Sequence, residues 1–332
     1  MTSQLATLNF GPALDVAARS LASAGGDAAL ENQDNFVLID TEGRAVILHA
    51  QIERTLKLPN WPAGHARLAV LDGMGGHGHG RQAAEAVAAG LLRMPACDTL
   101  EELSRHLDEL HHQLQRQFNS PDDPDHARRP GTTLTLLELP PGQSPLLYHV
   151  GDSRLYEITP EQAQALTIDH VPATSFALHG LLGAQEWWQQ VHGEHRSQIA
   201  QAFILGNAFV HPQQLDNDLY ELDADKLPPF LRPLADRRAL TVRGDALYLL
   251  ATDGFWACRR PQEWIAQWPA LLGAAPCAAD ALDSLFSSFV GAPPPGLHLD
   301  NLTAIALRFP AAAPHRNVDE TALPQALLQP FF

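Results

Sequence analysis

Short β-type runs, each bounded by Gly, Pro, Asp or Asn, come in blocks along this chain and do not alternate strictly with helices. They lie at 35–40, 44–49, 67–71, 132–139, 146–150, 155–158, 239–242, 246–251 and 302–309, and are rich in Val, Leu, Ile, Phe, Thr or Tyr. Helical patterns fall between them. Thr99 with Glu102 makes a capping box, and Leu100, Leu103, Leu107, Leu110 and Leu114 follow at spacings of three and four. Further helices are expected over 79–93 and from about 278 to 289. Strands and helices in blocks predict antiparallel sheets flanked by helices, an α+β layered fold, over a doubly wound parallel sheet.

A length of 332 residues allows about two domains or one large sandwich. The net charge of −16 disfavours non-specific nucleic-acid binding, which demands clustered Lys and Arg. Cys97, Cys258 and Cys277 are odd in number and far apart, which argues against a disulfide framework or a Cys-zinc site and for a reducing cytoplasm. The first residues lack a basic stretch followed by an apolar one, and no run approaches the ~20 apolar residues of a bilayer span. A cytoplasmic protein without a membrane partner is expected. Residues 171–236, rich in Gln, His and Pro, read as an irregular insertion over the sheet ends, and 311–332 read as a loosely held tail.

The pattern with the most chemistry in it is the placing of aspartates. Asp72 ends one β-type run and opens Gly73-Met74-Gly75-Gly76-His77, Asp253 ends another and precedes Gly254, and Asp300 stands before Asn301 and a further run. Asp152 lies in the turn Gly151-Asp152-Ser153, and Asp34 follows Asn32-Gln33. A carboxylate at a strand end is held by the ladder behind it while its oxygens face outward. Several such ends converging would make an oxygen-only site suited to hard cations such as Mg²⁺ and Mn²⁺. A glycine after Asp72 lets the backbone approach closely enough for its carbonyl to join. One Asp-Gly alone is a solvated turn; the repetition is what favours a site.

The blocks Asn32-Gln33-Asp34, Asp72-Gly73-Met74-Gly75-Gly76-His77, Gly131-Thr132-Thr133, Val150-Gly151-Asp152-Ser153-Arg154, Thr167-Ile168-Asp169-His170, Thr252-Asp253-Gly254 and Asp300-Asn301-Leu302-Thr303 resemble, in order, those of the type 2C metal-dependent Ser/Thr protein phosphatases in their bacterial form. The resemblance implies a four-layer α/β/β/α sandwich of two antiparallel sheets flanked by helices, a single phosphatase domain over 1–310 with a flap at about 171–236. It implies a binuclear Mn²⁺ or Mg²⁺ centre in which Asp72 bridges and the Gly73 carbonyl ligates. Asp253 and Asp300 would complete the first metal site, Asp34 would approach the second, and Asp152 would help hold a weaker third ion.

In that reading two cations activate a water for attack on phosphorus, and neither a Cys nor a Ser nucleophile nor a phosphoenzyme is needed. His77 is the candidate general acid for the leaving alkoxide, its alternative being a loop histidine. A zinc pair of His77 and His79 lacks a third convergent His or Cys. The family's phosphate-gripping Arg is replaced by Ala29, so Arg81 or Arg44 is expected to take its place at the substrate. Arg154 is expected in a structural pair, residues 40–65 in an extended hairpin, and Trp187 and Trp188 packed on the sheet edge. The expected activity is hydrolysis of phosphoserine or phosphothreonine on a protein by a monomer. The alternatives are a catalytically weak phosphoprotein-binding module of the same fold and a small-molecule phosphohydrolase.

Overall fold

In a β-strand successive side chains point to opposite faces, so a strand buried on both faces is mostly apolar, and its polar side chains need partners. Residues 35–39, 66–71, 134–139, 146–150, 247–251 and 302–307 are buried throughout, with Asn35, Arg67, Thr135, Glu138, His149 and Thr303 as their polar members. The structure, a computed structural model, describes residues 8–23, 31–75, 79–118, 130–196, 198–211 and 215–309.

These runs are the centres of two sheets. The larger has seven strands in the order β14-β9-β8-β5-β2-β3-β4. They are β14 (Arg237–Ala239), β9 (Leu146–Val150), β8 (Leu134–Leu139), β5 (Ala66–Leu71), β2 (Asn35–Ile39), β3 (Arg44–His49) and β4 (Ile52–Lys57). The smaller has five, in the order β1-β16-β15-β10-β11: β1 (Asp15–Leu21), β16 (Leu302–Arg308), β15 (Leu247–Ala251), β10 (Arg154–Ile158) and β11 (Ala163–Ala165). Neighbouring strands within both sheets are antiparallel throughout. The two-residue strands β6 (Gly73–Met74) and β7 (Gly131–Thr132) pair beside the larger sheet.

Alternation sorts the side chains into three apolar layers. Phe36, Leu38, Leu68, Val70, Leu137 and Leu147 meet Leu155, Tyr248, Leu250, Ile305 and Leu307 between the sheets. The other parity of the larger sheet, Val37, Ile39, Ala69, Leu71 and Leu136, packs under α1 (His79–Arg93) and α2 (Leu100–Phe118). On the far side Tyr156, Leu249, Ala304 and Ala306 pack under α5 (Pro261–Ile265), α6 (Trp268–Leu272) and α7 (Ala278–Gly291), with Trp256, Trp268 and Phe286 filling that layer. The order is therefore helix, sheet, sheet, helix. At Thr99 the cap is made from both sides: the Glu102 N–H donates to Thr99 Oγ1 (3.2 Å) and the Asp98 N–H to Glu102 Oε2 (3.2 Å).

Three expectations change. Residues 171–236 are not merely irregular: they hold α3 (Pro172–Leu178), α4 (Ala184–Val191) and a short hairpin of β12 (Gln201–Ala202) and β13 (Gly206–Asn207). The apolar cluster that includes Trp187, Phe209, Leu222 and Leu231, packed with Ile168 just before the segment, is spaced too widely in sequence to show as a periodic pattern. The strand expected at 239–242 is displaced to 237–239, and β1 was not expected because DVAARSL is half-buried and poor in β-branched residues. The hairpin expected within 40–65 is present as β3 and β4, with every residue of β4 exposed at the sheet edge. Trp187 is buried and donates to Thr174 Oγ1 (3.0 Å), while Trp188 stacks on His192 and stays partly exposed. The tail at 311–332 lies outside the described residues. Among those described, no helix is long and apolar enough to cross a membrane.

Candidate functional site

Register places the aspartates. Asn35 pairs with Leu71, so Asp34, just before β2, and Asp72, just after β5, emerge side by side at one end of the larger sheet. The main-chain N–H of Asp72 donates to Thr133 Oγ1 and its carbonyl accepts from the Thr133 N–H, each at 2.9 Å. A Cβ on Gly73 would collide with the carbonyls of Gln33 and Gly80, so only glycine lets the start of α1 and the 32–34 segment close on this strand end.

The smaller sheet sends its ends to the same rim. Arg154 pairs with Ala251 and Ala251 with Ala304, which brings Asp152, Asp253 and Asp300 out together. A side chain at Gly254 would strike the Asn301 carbonyl, so the Asp253 and Asp300 loops lie in contact. Asn301 stitches the loop across the rim: its Oδ1 accepts from the Gln33 N–H (2.8 Å), and its Nδ2 donates to the carbonyls of Ala22 (2.6 Å) and Glu31 (3.0 Å). Thr252 joins the sheets directly, donating from Oγ1 to Asp34 Oδ2 (2.9 Å). Ser153 Oγ is buried against Thr133 Oγ1 at 2.6 Å.

The electrostatics follow from this crowding. Burial, then the charges of Asp34, Asp253, Asp300 and Asp152, push the Asp72 carboxyl well above the usual range. Asp34 is raised by burial and by Asp300 and Asp253, against hydrogen bonds from Thr303 and Thr252. Asp152 is raised by burial and Asp253, and Asp300 is pushed up to about 6 by burial and Asp253. Asp253 alone is held low: burial works against its charge, but His195 stands beside it with Nε2 3.2 Å from Oδ2. Four carboxyls with raised proton affinity on one rim are short of positive charge.

Divalent cations would fit that deficit. The donors are carboxylate oxygens with the Gly73 carbonyl at hand, the chemistry of Mg²⁺ or Mn²⁺ and not of zinc. Among the described residues no three His, Cys, Asp or Glu side chains form a ready-made metal cage. A loosely spaced carboxylate ring suits ions that keep several waters of their own.

Of the other residues singled out in the sequence, Arg81 is on the first turn of α1, its guanidinium held by Glu31 (2.6 Å) and Glu85 (2.9 Å). Arg44 is a correction. It begins β3 at the opposite end of the sheet, next to Asp40 and Glu42 at 3.0 and 2.9 Å, because β2 carries the chain away from Asp34 and Arg44 stands just past the turn at its far end. His77 and Ala29 lie outside the described residues. Arg154 is paired, as expected, with Asp169 (2.7 Å), and stacks on Trp256. His195 and Arg196, which line a cavity of about 400 Å³ with Asp152, Glu194 and Trp256, went unnoticed in the sequence. No local spacing signals them, since the flap's fold alone carries them to the rim.

In sequence, no family model and no curated protein matches the chain. In structure it is similar to the Mycobacterium tuberculosis serine/threonine phosphatase PstP/Ppp, at 22% identity and a TM-score of 0.56, over 90% of this chain and 99% of that one. It is similar also to the S. agalactiae serine/threonine phosphatase, at 17% identity and a TM-score of 0.58, over 89% and 99% of the two chains. A third likeness is to the catalytic domain of PstP in complex with two manganese ions, at 21% identity and a TM-score of 0.53, over 89% and 97%. At such identities the likeness is one of fold.

Proposed function

With the fold shared with bacterial serine/threonine phosphatases as premise, we propose that this chain is a metal-dependent phosphatase that hydrolyses phosphoserine and phosphothreonine on proteins. The observation that carries the reading is the gathering of Asp34, Asp72, Asp152, Asp253 and Asp300 from both sheets onto one rim, with too little positive charge among them.

Asp72, Asp34, Asp253 and Asp300, with the Gly73 carbonyl, are the residues that would hold two Mn²⁺ or Mg²⁺ ions, and Asp152 would help hold a weaker third. Bound there, such ions supply Lewis acidity towards the phosphoryl oxygens and an activated water. The chain's own part is to fix the carboxylates before substrate arrives: Thr252 holds Asp34, Thr133 holds the Asp72 backbone, and Asn301 locks the Asp300 loop. His77 is assigned the proton for the leaving alkoxide, a role an imidazole fills near neutral pH. Direct attack by water, without a phosphoenzyme, is favoured by what the side chains offer. Ser153 is committed to Thr133, and Cys97, pushed up to about 12 by burial and the nearby Glu138, is a poor nucleophile away from the rim.

Arg81, the cation on the α1 turn that abuts Gly73, is proposed to meet the substrate phosphate. Its engagement by Glu31 and Glu85 favours a second reading, a phosphoprotein-binding module with weak turnover. Hydrolysis of a phosphothreonine peptide decides between them: the enzyme reading requires Mn²⁺-dependent turnover, abolished by EDTA and by Asp253→Asn. Binding of the peptide without turnover would leave the second reading standing. A monomer working in the cytoplasm is the setting proposed.

A further inference from the structure

The flap sends one side chain into the aspartate rim. His195 follows α4 and is largely buried, with Nε2 3.2 Å from Asp253 Oδ2. Its main-chain N–H donates to the carbonyl of Cys258 (3.3 Å). One flap residue thus grips both ends of the 253–258 segment, side chain at the aspartate and backbone at the cysteine. On its other side His195 opens on the cavity of about 400 Å³ shared with Asp152 and Arg196.

The rim aspartates differ in how their carboxylates are held. Asp34 receives Thr252 from within the sheets, and Asp300 Oδ1 receives the N–H of Asn301 from its own loop (2.8 Å). Among the described residues no other side-chain nitrogen reaches the Asp253 carboxylate. A carboxylate that offers one oxygen to a cation binds best when its second oxygen is fixed by a donor, and removing such a donor costs about 10- to 100-fold in metal affinity.

We propose that His195 is a positioning residue for the metal centre: from the flap it fixes Asp253 Oδ2, so cation affinity depends on how the flap is seated. This rests on the metal-dependent reading above and deepens it, by making the flap part of the metal site as well as a cover over it. The chain's two layers and its insertion then act on the same ions.

The test is calorimetric titration of the full chain with Mn²⁺, comparing wild type, His195→Ala, His195→Gln and the exposed flap variant Leu181→Ala. Thermal melting of each in EDTA reads whether the fold is kept. The expected result is Mn²⁺ affinity reduced about 10-fold or more in His195→Ala. Substantial recovery is expected in His195→Gln, whose amide N–H can still donate, and no change in Leu181→Ala. Equal Mn²⁺ affinity in wild type and His195→Ala would overturn this inference alone. Tighter binding in His195→Ala would overturn it too, by making the imidazole a competitor for Asp253. Absence of Mn²⁺ binding by the wild type would sink the metal reading itself.

Discussion

Thr252 Oγ1 and Asp34 Oδ2 are 2.9 Å apart and belong to different sheets, so this hydrogen bond is a tie across the sandwich at the rim. Thr252 Oγ1 also accepts from the Thr303 N–H (3.0 Å). Thr252→Val keeps the shape and removes both bonds, leaving the Thr303 N–H unpaired and the buried Asp34 carboxylate with Thr303 but without Thr252 as a donor. A loss of about 1–3 kcal/mol in unfolding free energy is expected, with lower activity from a freed Asp34. Denaturant titration of the two proteins checks it, and equal midpoints would refute the tie.

On the proposed metal reading, the crowded carboxylates should destabilise the rim when no cation is bound. Asp72→Asn removes a charge that four neighbours oppose. The metal-free variant should therefore be more stable than the metal-free wild type by on the order of 1 kcal/mol, while losing phosphatase activity. Mn²⁺ at 100 times its dissociation constant should stabilise the wild type by about 2.7 kcal/mol and the variant by much less. Melting with and without Mn²⁺ reads both, and a variant that melts lower in EDTA would contradict the account.

Acid should weaken the flap's attachment to α2. His111 is buried, its Nδ1 accepts the Ile204 N–H (2.9 Å), and its Nε2–H donates to the Asn217 carbonyl (2.7 Å). A second ring proton would face the Ile204 N–H, and burial lowers the group from 6.5 to about 4. Above pH 6.5 the imidazole is neutral folded or unfolded and pH has no effect through it. Below that the unfolded chain takes up a proton the folded chain refuses, so stability falls between pH 6.5 and 4, by about 3 kcal/mol in full. His149 and His192, lowered well below the ordinary value by burial, add in the same direction. His111→Gln should show a shallower fall than wild type in denaturation at pH 7.5 and 4.5.

At the end of the larger sheet away from the rim, Arg67 and Glu138 are both fully buried, 2.6 Å apart. Arg67 also donates to the carbonyls of Leu91 (2.7 Å), Met94 (3.1 Å) and Pro95 (2.7 Å), closing the end of α1, and His65 meets Glu138 at 2.8 Å. Burial opposes charge on Glu138, but Arg67 and His65 hold it below the usual range. Glu138→Ala strands a buried guanidinium and should cost about 3–5 kcal/mol. Its kcat, measured at a temperature where the variant is folded, should match wild type, because this cluster stands apart from the aspartates.

How much of this was legible follows from whether a signal is local. The strands around Val37, Leu68, Leu136 and Leu249 are buried on both faces, and continuous apolar runs announce them. The leucines of α2 mark its stripe, and Leu103, Leu107, Leu110 and Leu114 are all buried. The aspartates could be read because each ends a strand, and the ladder puts strand ends together. β1 could not, since it is half-buried and poor in β-branched residues; β4, exposed along its whole length, was legible only as part of the hairpin expected within 40–65. Arg44 misled because closeness in sequence to Asp34 says nothing of direction: β2 runs its whole length between them, and Arg44 sits at its far end. His195 is the reverse case, more than fifty positions from Asp253 in the chain and touching it in the fold.

The split ownership of the rim has a consequence for failure. Asp34 and Asp72 ride on one sheet, and Asp152, Asp253 and Asp300 on the other, with Leu68, Val70, Leu155 and Ile305 as the greased seam between. A slip of one layer over its neighbour would leave most main-chain ladders whole and circular dichroism almost untouched, yet scatter the acidic groups beyond reach of a common ion. Turnover should then vanish before secondary structure does, which makes loss of activity an early alarm for loosening of the sandwich.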